Sequence, residues 1–325
     1  MPLATTGGEA ATVPAIGGAV AVTSKRIQAA QRRCAWITIL LPFAGTLAAV
    51  ALLFHRPLTL ADLLLFAVFY VLTSLGITVG FHRLFAHRSF QASPGLRVAL
   101  AILGSMAAQG GLIYWVATHR RHHQFAEQDE DPHSPYVHEG RRLGRLRGIW
   151  HSHLGWMLDS RPSNTARFAR DLMRDPRLAW VSDRYLLWVA LGLLIPAAAG
   201  GLIAGSWMGA LTGFLWGGMV RMFAAHHAMW TSGSTAHLFG TRPFDTRDAS
   251  RNNGLLAVPN LGEAWHNNHH AFPSSAMFAF RFWQIDPGGW FIRACERLGW
   301  AWEVKVPTPD MIASARLRAA GGSRG

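Results

Sequence analysis

Long uncharged stretches limit what this chain can fold into, and three of them set its expected membrane spans. Residues 35–54 hold 20 residues without a charge, residues 63–81 hold 19, and residues 185–220 hold 36. About 20 apolar residues carry a helix across a ~30 Å hydrocarbon core, so the first two stretches read as single spans. The third is too long for one helix and reads as two short ones, with Gly200-Gly201 and Gly205-Ser206 at the turn. Only 15% of residues are charged, against about 25% in an ordinary soluble domain. The expectation is an all-α integral membrane protein with four transmembrane helices in two hairpins, at about 35–54, 60–81, 182–200 and 207–230. A basic collar, Lys25, Arg26, Arg32 and Arg33, precedes the first span. The positive-inside rule makes that side cytoplasmic, and four spans bring both termini to it. No basic segment precedes an apolar one in residues 1–24, so no signal peptide is expected. Residues 1–34 read as a disordered tail ending in the collar, 35–310 as one membrane domain, and 311–325 as a second disordered tail.

Three histidine boxes interrupt this apolar pattern. His82 and His87 form an H-x4-H pair, His119, His122 and His123 an H-x-x-H-H group, and His266, His269 and His270 another. Imidazoles at i, i+3 and i+4 share one helix face, and neutral imidazole is a good ligand for first-row transition metals. At 100° per residue, His82 and His87 would lie roughly 140° apart on a continuous helix, so the second helix is expected to end or bend between them. Eight imidazoles exceed the needs of one ion, since zinc takes about four ligands and iron at most about six, so two metals fit better. Spacing does not name the metal. With only Cys34 and Cys295, neither a thiolate site nor a disulfide framework is available.

Residues 98–118 are also uncharged, 21 in a row. If they crossed the membrane, His82 and His87 would be separated from the other boxes. Ser105, Gln109, Gly110 and Gly111 within the run suit a helix lying in the interface instead. With 98–118 interfacial, every box falls on one face, in a cytosolic histidine-rich helical cap. The formal charge of +13 comes almost entirely from arginine. Beside such apolar spans it is better explained by anchoring to lipid head groups than by nucleic acid.

The three boxes resemble those of the membrane fatty acyl desaturases, the stearoyl-CoA 9-desaturase type in its bacterial form. The likeness extends to Gly76-Ile77-Thr78, Asp131-Pro132-His133, His153-Leu154-Gly155-Trp156, Ala236-His237-Leu238-Phe239-Gly240, Arg251-Asn252-Asn253 and Gly262-Glu263 with Trp265. It covers roughly residues 35–305. The resemblance implies a di-iron centre held by nine histidines: His82, His87, His119, His122, His123, His237, His266, His269 and His270. Reduced iron would activate O2, two hydrogens would leave adjacent methylenes of a long-chain acyl thioester, and a cis alkene, at the 9 position in this type, and water would form. The acyl chain, carried by CoA or another carrier, would enter a tunnel between the membrane helices. Electrons would come from a separate donor such as a ferredoxin or cytochrome b5 with its reductase, because Asp286-Pro287-Gly288-Gly289 lacks the histidine of a haem motif. The setting implied is the bacterial cytoplasmic membrane.

Around this core, Arg141, Arg142 and Arg145, with Arg147, are candidates for the acyl head group, with anionic lipid as the plain alternative. Asp131 and Glu263 are candidates to orient ligand histidines. His151, His153, His226 and His227 read as outer groups rather than ligands. Phe66, Phe69 and Tyr70, three to four turns before His82, offer a residue to close the tunnel. Two positions depart from the family pattern. Gly233 stands where an asparagine commonly holds a metal through water, and Thr118 stands where an aspartate precedes the second box. Gly233 keeps a hydroxylase or another lipid oxidation open. From a different class, a metal transporter would need ionisable ligands near the bilayer midplane, whereas the boxes lie outside the apolar runs.

Overall fold

A computed structural model of the chain describes residues 19–159 and 161–321. The expected tails at 1–18 and 322–325 lie outside these. Helices make almost all of the regular structure, joined by two antiparallel pairs of two-residue strands, Gln91–Ala92 with Ala301–Trp302 and Val137–His138 with Arg141–Arg142. Three helices among the described residues are long and apolar enough to cross a membrane: Lys25–Leu52, Leu60–Ala86 and Tyr185–Ala204.

The first helix already includes the basic collar, so residues 25–34 are helix rather than tail. Before it, Val22 donates to the Pro162 carbonyl and Asn164 to the Val20 carbonyl, which ties residues 20–22 to the loop before Thr165. At the other end of the chain, Pro309–Gly321 is helical where a disordered tail was expected from 311. The second helix starts at Leu60, three residues before its uncharged run. There Thr59 and Asp62 form a reciprocal capping box that satisfies two otherwise orphaned N–H groups.

Gly205, in the left-handed conformation (φ 60°), ends the Tyr185–Ala204 helix, and Ser206 caps the next one. Residues 207–233 are then helical throughout: Trp207–Gly213, a π-helical turn Phe214–Val220, and Arg221–Gly233. This stretch runs back along the previous helix. A β-carbon at Gly200 would sit 2.3 Å from the Gly209 carbonyl oxygen, and one at Gly213 would sit 2.3 Å from that of Pro196. Glycine is what lets the backbones approach so closely. The fourth expected span falls here, but it does not join the three helices that satisfy length and apolarity. A stretch packed on glycine and carrying Arg221 needs fewer lipid-soluble side chains, because neighbouring helices rather than lipid cover it.

Residues 98–118 are not one helix. Pro94–Met106 and Leu112–Phe125 are separated by a break where Ala108 and Gly110 take positive φ. Pro94–Met106 packs along the second helix, where a β-carbon on Gly76 would collide with the Gly104 nitrogen at 2.1 Å. The second segment climbs back to carry His119, His122 and His123 beside His82 and His87. Arg221 fixes the turn. Completely buried, it donates to the carbonyls of Met106 (3.0 Å), Gly192 (2.7 Å) and its own helix at Gly217 (3.1 Å). Arg221→Met would leave the Met106 and Gly192 carbonyls unpaired in an apolar setting, at about 1–3 kcal/mol each. A thermal unfolding curve of the detergent-solubilised protein is expected to show the loss, and an unchanged midpoint would remove Arg221 from this role.

Candidate metal centre

The nine histidines gather into two groups. His82, His87, His119, His123 and His269 present ligand atoms within 4.8 Å of one another, and so do His122, His237, His266 and His270. Sequence spacing left open how box one could contribute both of its members. The second helix continues from Gly76 to Ala86 as a π-helix and is capped by His87, whose N–H bonds to the His82 carbonyl at 3.0 Å. An i→i+5 hydrogen bond brings residues five apart onto nearly the same face. The rings of His82 and His87 therefore lie 4.9 Å apart between centroids. The helix does end between them, at Ala86, and the π-helical widening before that end is what sequence spacing did not foresee.

Four of the nine imidazoles have a carboxylate on Nδ1: His82 with Glu263 (2.5 Å), His122 with Asp131 (3.0 Å), His237 with Glu127 (2.9 Å) and His270 with Asp248 (2.7 Å). Such a partner holds the proton on Nδ1 and leaves the Nε2 lone pair bare, the arrangement of a metal-ligating histidine. Nε2 of His122 and of His270 is buried and has no hydrogen-bond partner. Elsewhere Nε2 atoms face each other: His82–His269 at 3.1 Å, His123–His269 at 2.9 Å, His87–His119 at 2.8 Å and His237–His266 at 3.0 Å. Nitrogens this close need either a shared proton or a shared cation between them. The group of five exceeds the four ligands of tetrahedral zinc and falls within the set of a six-coordinate ion. Burial, followed by the repulsion of neighbouring imidazoles, holds His87, His119, His123, His266 and His269 well below the usual histidine range. They are neutral near pH 7, the form that binds metal.

Asp131 and Glu263 thus occupy the orienting positions expected from the sequence. Glu127 and Asp248 were missed, since neither lies in a box and only the fold brings Asp248 to His270. Glu263 does more than orient His82. It also meets the buried Arg83 (3.4 Å), which Asp286 holds at 2.8 Å, so the first and third boxes share one buried ion network. Boxes one and two are clamped from outside. Arg120 donates to the carbonyls of Phe85 (2.6 Å) and Ala86 (3.0 Å), and Asp171 binds both Arg120 (2.7 Å) and Arg88 (2.6 Å). Burial would raise the Asp171 carboxyl, but its hydrogen bonds to Arg120 and Arg88 outweigh burial and hold it down at about 2. A folded value below the ordinary ~3.9 stabilises the protein above that pH and loses its effect as pH falls towards ~2. With the side chain 34% exposed, solvent screening leaves roughly 1 kcal/mol. Asp171→Asn is expected to lower the unfolding midpoint at neutral pH, with the difference from wild type shrinking below pH ~4. A pH-independent difference would assign its effect to packing instead.

The outer histidines behave differently from one another. His226 bonds the Ala107 carbonyl (2.7 Å), His153 bonds His227 (3.0 Å) and Ser234 (2.9 Å), and His151 stacks near His138. None of these contacts reaches a histidine of the two groups. Arg141 and Arg142 lie on the exposed strand pair and Arg145 opens the following helix, its guanidinium 5.0 Å from the Phe239 ring centre.

A cavity of about 530 Å³ leads away from the centre. His82, His119, His122 and His266 line its polar end, Ile37, Leu41 and Pro42 of the first helix one wall, and Val189, Leu193 and Met222 another. Phe66, Phe69 and Tyr70 do not line it. Tyr70 points elsewhere and donates its hydroxyl to the Pro259 carbonyl, because the cavity lies on another side of the second helix, where Ile77 faces it. Gly233 does line it, beside His133, whose Nδ1 would be 3.4 Å from a β-carbon at position 233.

Residues 57–287 match the family model described as fatty acid desaturase. Among curated proteins, the chain is 44% identical over 280 residues to the hex-5-enoyl-(acyl-carrier protein) acetylenase of Moorena producens (strain JHB), covering 85% of this chain and 87% of that one. It is 37% identical to the sn-1 stearoyl-lipid 9-desaturase of Anabaena variabilis (74% of this chain, 82% of the relative). It is 38% identical to Delta-9 acyl-lipid desaturase 2 of Arabidopsis thaliana (81% of each).

Proposed function

The chain belongs to the fatty acid desaturase family of membrane oxidoreductases, and from that premise we propose that it introduces a cis double bond into a long-chain acyl thioester, at the 9 position, using O2 and external electrons. The observation that carries this reading is the meeting of two histidine groups, of five and four, at the polar end of an apolar cavity. In it, the nine histidines hold two iron ions. Iron bound there would supply the O2 chemistry that removes one hydrogen from each of two adjacent methylenes. The chain's own residues do the rest. Glu263, Asp131, Glu127 and Asp248 keep four imidazoles in the ligating tautomer. The apolar walls exclude water and hold one segment of the acyl chain against the histidines while the remainder fills the cavity. Arg141, Arg142 and Arg145 lie outside the cavity lining, and a role for them in holding the acyl carrier rests on their charge and exposure.

The same reading makes residues 35–310 one membrane domain and residues 207–233 the fourth span. It sets the protein in the bacterial cytoplasmic membrane with the histidine face and the collar of Lys25, Arg26, Arg32 and Arg33 in the cytosol. CoA, acyl carrier protein and lipid are the candidate carriers, and a ferredoxin or cytochrome b5 with its reductase the candidate donor. A second outcome of the chemistry is favoured by one observation. Gly233 leaves the cavity open beside His133, and a relative is named for making an acetylene on an acyl carrier protein. Fatty-acid analysis of a desaturase-deficient bacterial host, expressing this chain with a compatible reductase, separates the readings. A new cis monoene is expected, and its bond position follows from the same chromatogram. An acetylenic or hydroxylated acid would favour the second outcome, and no product from iron-loaded, reducible protein would overturn both.

A further inference from the structure

Beyond Arg251 the chain carries an apolar surface that the reaction does not use. Leu255, Val258, Phe282, Trp283, Ile285 and Trp290 are all exposed, Leu255 at 90% and Phe282 at 102%. Contacts beneath the surface hold the two segments together. Trp265 donates its indole N–H to the Ile285 carbonyl (2.8 Å), its ring lies 5.5 Å from that of Trp283, and a β-carbon on Gly254 would touch it at 3.3 Å. Gly288 donates to the Leu261 carbonyl at 3.1 Å.

One edge of this surface is tied to the membrane helices. The Tyr70 hydroxyl donates to the Pro259 carbonyl, and Asn260 donates to Ser232 (3.3 Å). Tyr70 lies inside the candidate span Leu60–Ala86, twelve residues and up to ~18 Å of helix before His82. The loop that exposes Leu255 and Val258 therefore reaches down beside a helix that crosses the bilayer. Arg281 borders the patch, its guanidinium 6.0 Å from the Trp283 ring centre. A contiguous apolar patch left in water is rare. Tryptophan, phenylalanine and leucine edged by arginine suit the boundary between acyl chains and phosphate groups.

We propose that residues 254–260 and 282–290 form an interfacial anchor, inserted into the head-group boundary of the same bilayer that the helices cross. The partner is the lipid surface itself, and the anchor holds the shoulder of the third box, since Trp265 immediately precedes His266. This inference rests on the membrane placement of the helices and not on the reaction.

The test uses the full-length protein in nanodiscs of phosphatidylcholine and phosphatidylglycerol. An environment-sensitive fluorophore is attached at Phe282→Cys in a Cys34→Ser background, where the remaining Cys295 is buried. A label at Glu139→Cys, on an exposed turn, serves as the aqueous reference. Lipid carrying a nitroxide near its head group is expected to quench position 282 severalfold more than position 139, with aqueous iodide showing the reverse order. Leu255→Cys, which tests the other segment should Phe282→Cys misfold, is expected to follow position 282. Iodide quenching at 255 and 282 equal to that at 139, without lipid quenching, would overturn the proposal. So would protection that arises only when an electron-donor protein is added, which would assign the patch to a protein partner.

Discussion

His269→Ala is expected to leave product formation below about 1% of wild type, a larger loss than the ~10–100-fold that removing an outer hydrogen-bond partner causes. His269 is fully buried, and its Nε2 lies 2.9 Å from that of His123 and 3.1 Å from that of His82. It therefore belongs to the group of five, and its removal should cost that site its ion while sparing the other. Iron analysis of the purified protein is expected to fall from about two ions per chain to about one. His266→Ala, in the group of four, should produce the same stoichiometric loss from the other side. Asp248→Asn should give a smaller decline, because it leaves all nine imidazoles in place and removes the negative charge, not the hydrogen-bond acceptor, beside His270. Wild-type product from His269→Ala would take the cluster out of the chemistry. Loss of both ions from either single variant would show that the two groups bind metal as one unit.

Leu193→Trp should change the substrate rather than the metal. Tyr185 and Leu193 both line the cavity, and eight residues of helix separate them by ~12 Å, so Leu193 lies at the end far from the helix start. Filling that end with an indole is expected to reduce product from the longest acyl chains more than about tenfold, through overpacking of roughly 1–3 kcal/mol or more against the chain terminus. Shorter chains should gain in proportion, with iron content unchanged. Competition between acyl chains of graded length in the expressing host measures this directly. An unaltered length profile, in a protein that still binds iron, would mean that the acyl chain does not occupy this cavity. The aromatic residues that sequence position suggested for this task, Phe66, Phe69 and Tyr70, should instead leave chain length unaffected when shortened.

Much of the candidate site was legible before any fold was known. Box spacing picked out eight histidines, and the resemblance added His237. Parity of the apolar runs argued that 98–118 could not cross, since crossing would divide the boxes. What spacing could not express was how H-x4-H places both rings together, because α-helical geometry forbids it and a π-helix from Gly76 to Ala86 allows it. Nor could it find Glu127 or Asp248. A carboxylate that orients a histidine is chosen by proximity in space, and Asp248 lies 22 residues from His270. Arg221 gives the same lesson in the fold. In sequence it reads as the end of an apolar run, yet it is wholly buried and binds the carbonyls of Met106 and Gly192.

Composition and local pattern therefore determined what this chain is: helical, embedded in a membrane, and rich in neutral nitrogen ligands outside its apolar runs. These properties follow from hydrocarbon thickness and from the chemistry of imidazole, which act through sequence-local features. The tertiary structure alone decided which histidine joins which group, which side of the second helix faces the cavity, and where residues 98–118 break. Those outcomes depend on close approach between distant segments, as at Gly76 with Gly104 and Gly200 with Gly209. Such contacts are fixed by packing, which no single stretch of sequence contains.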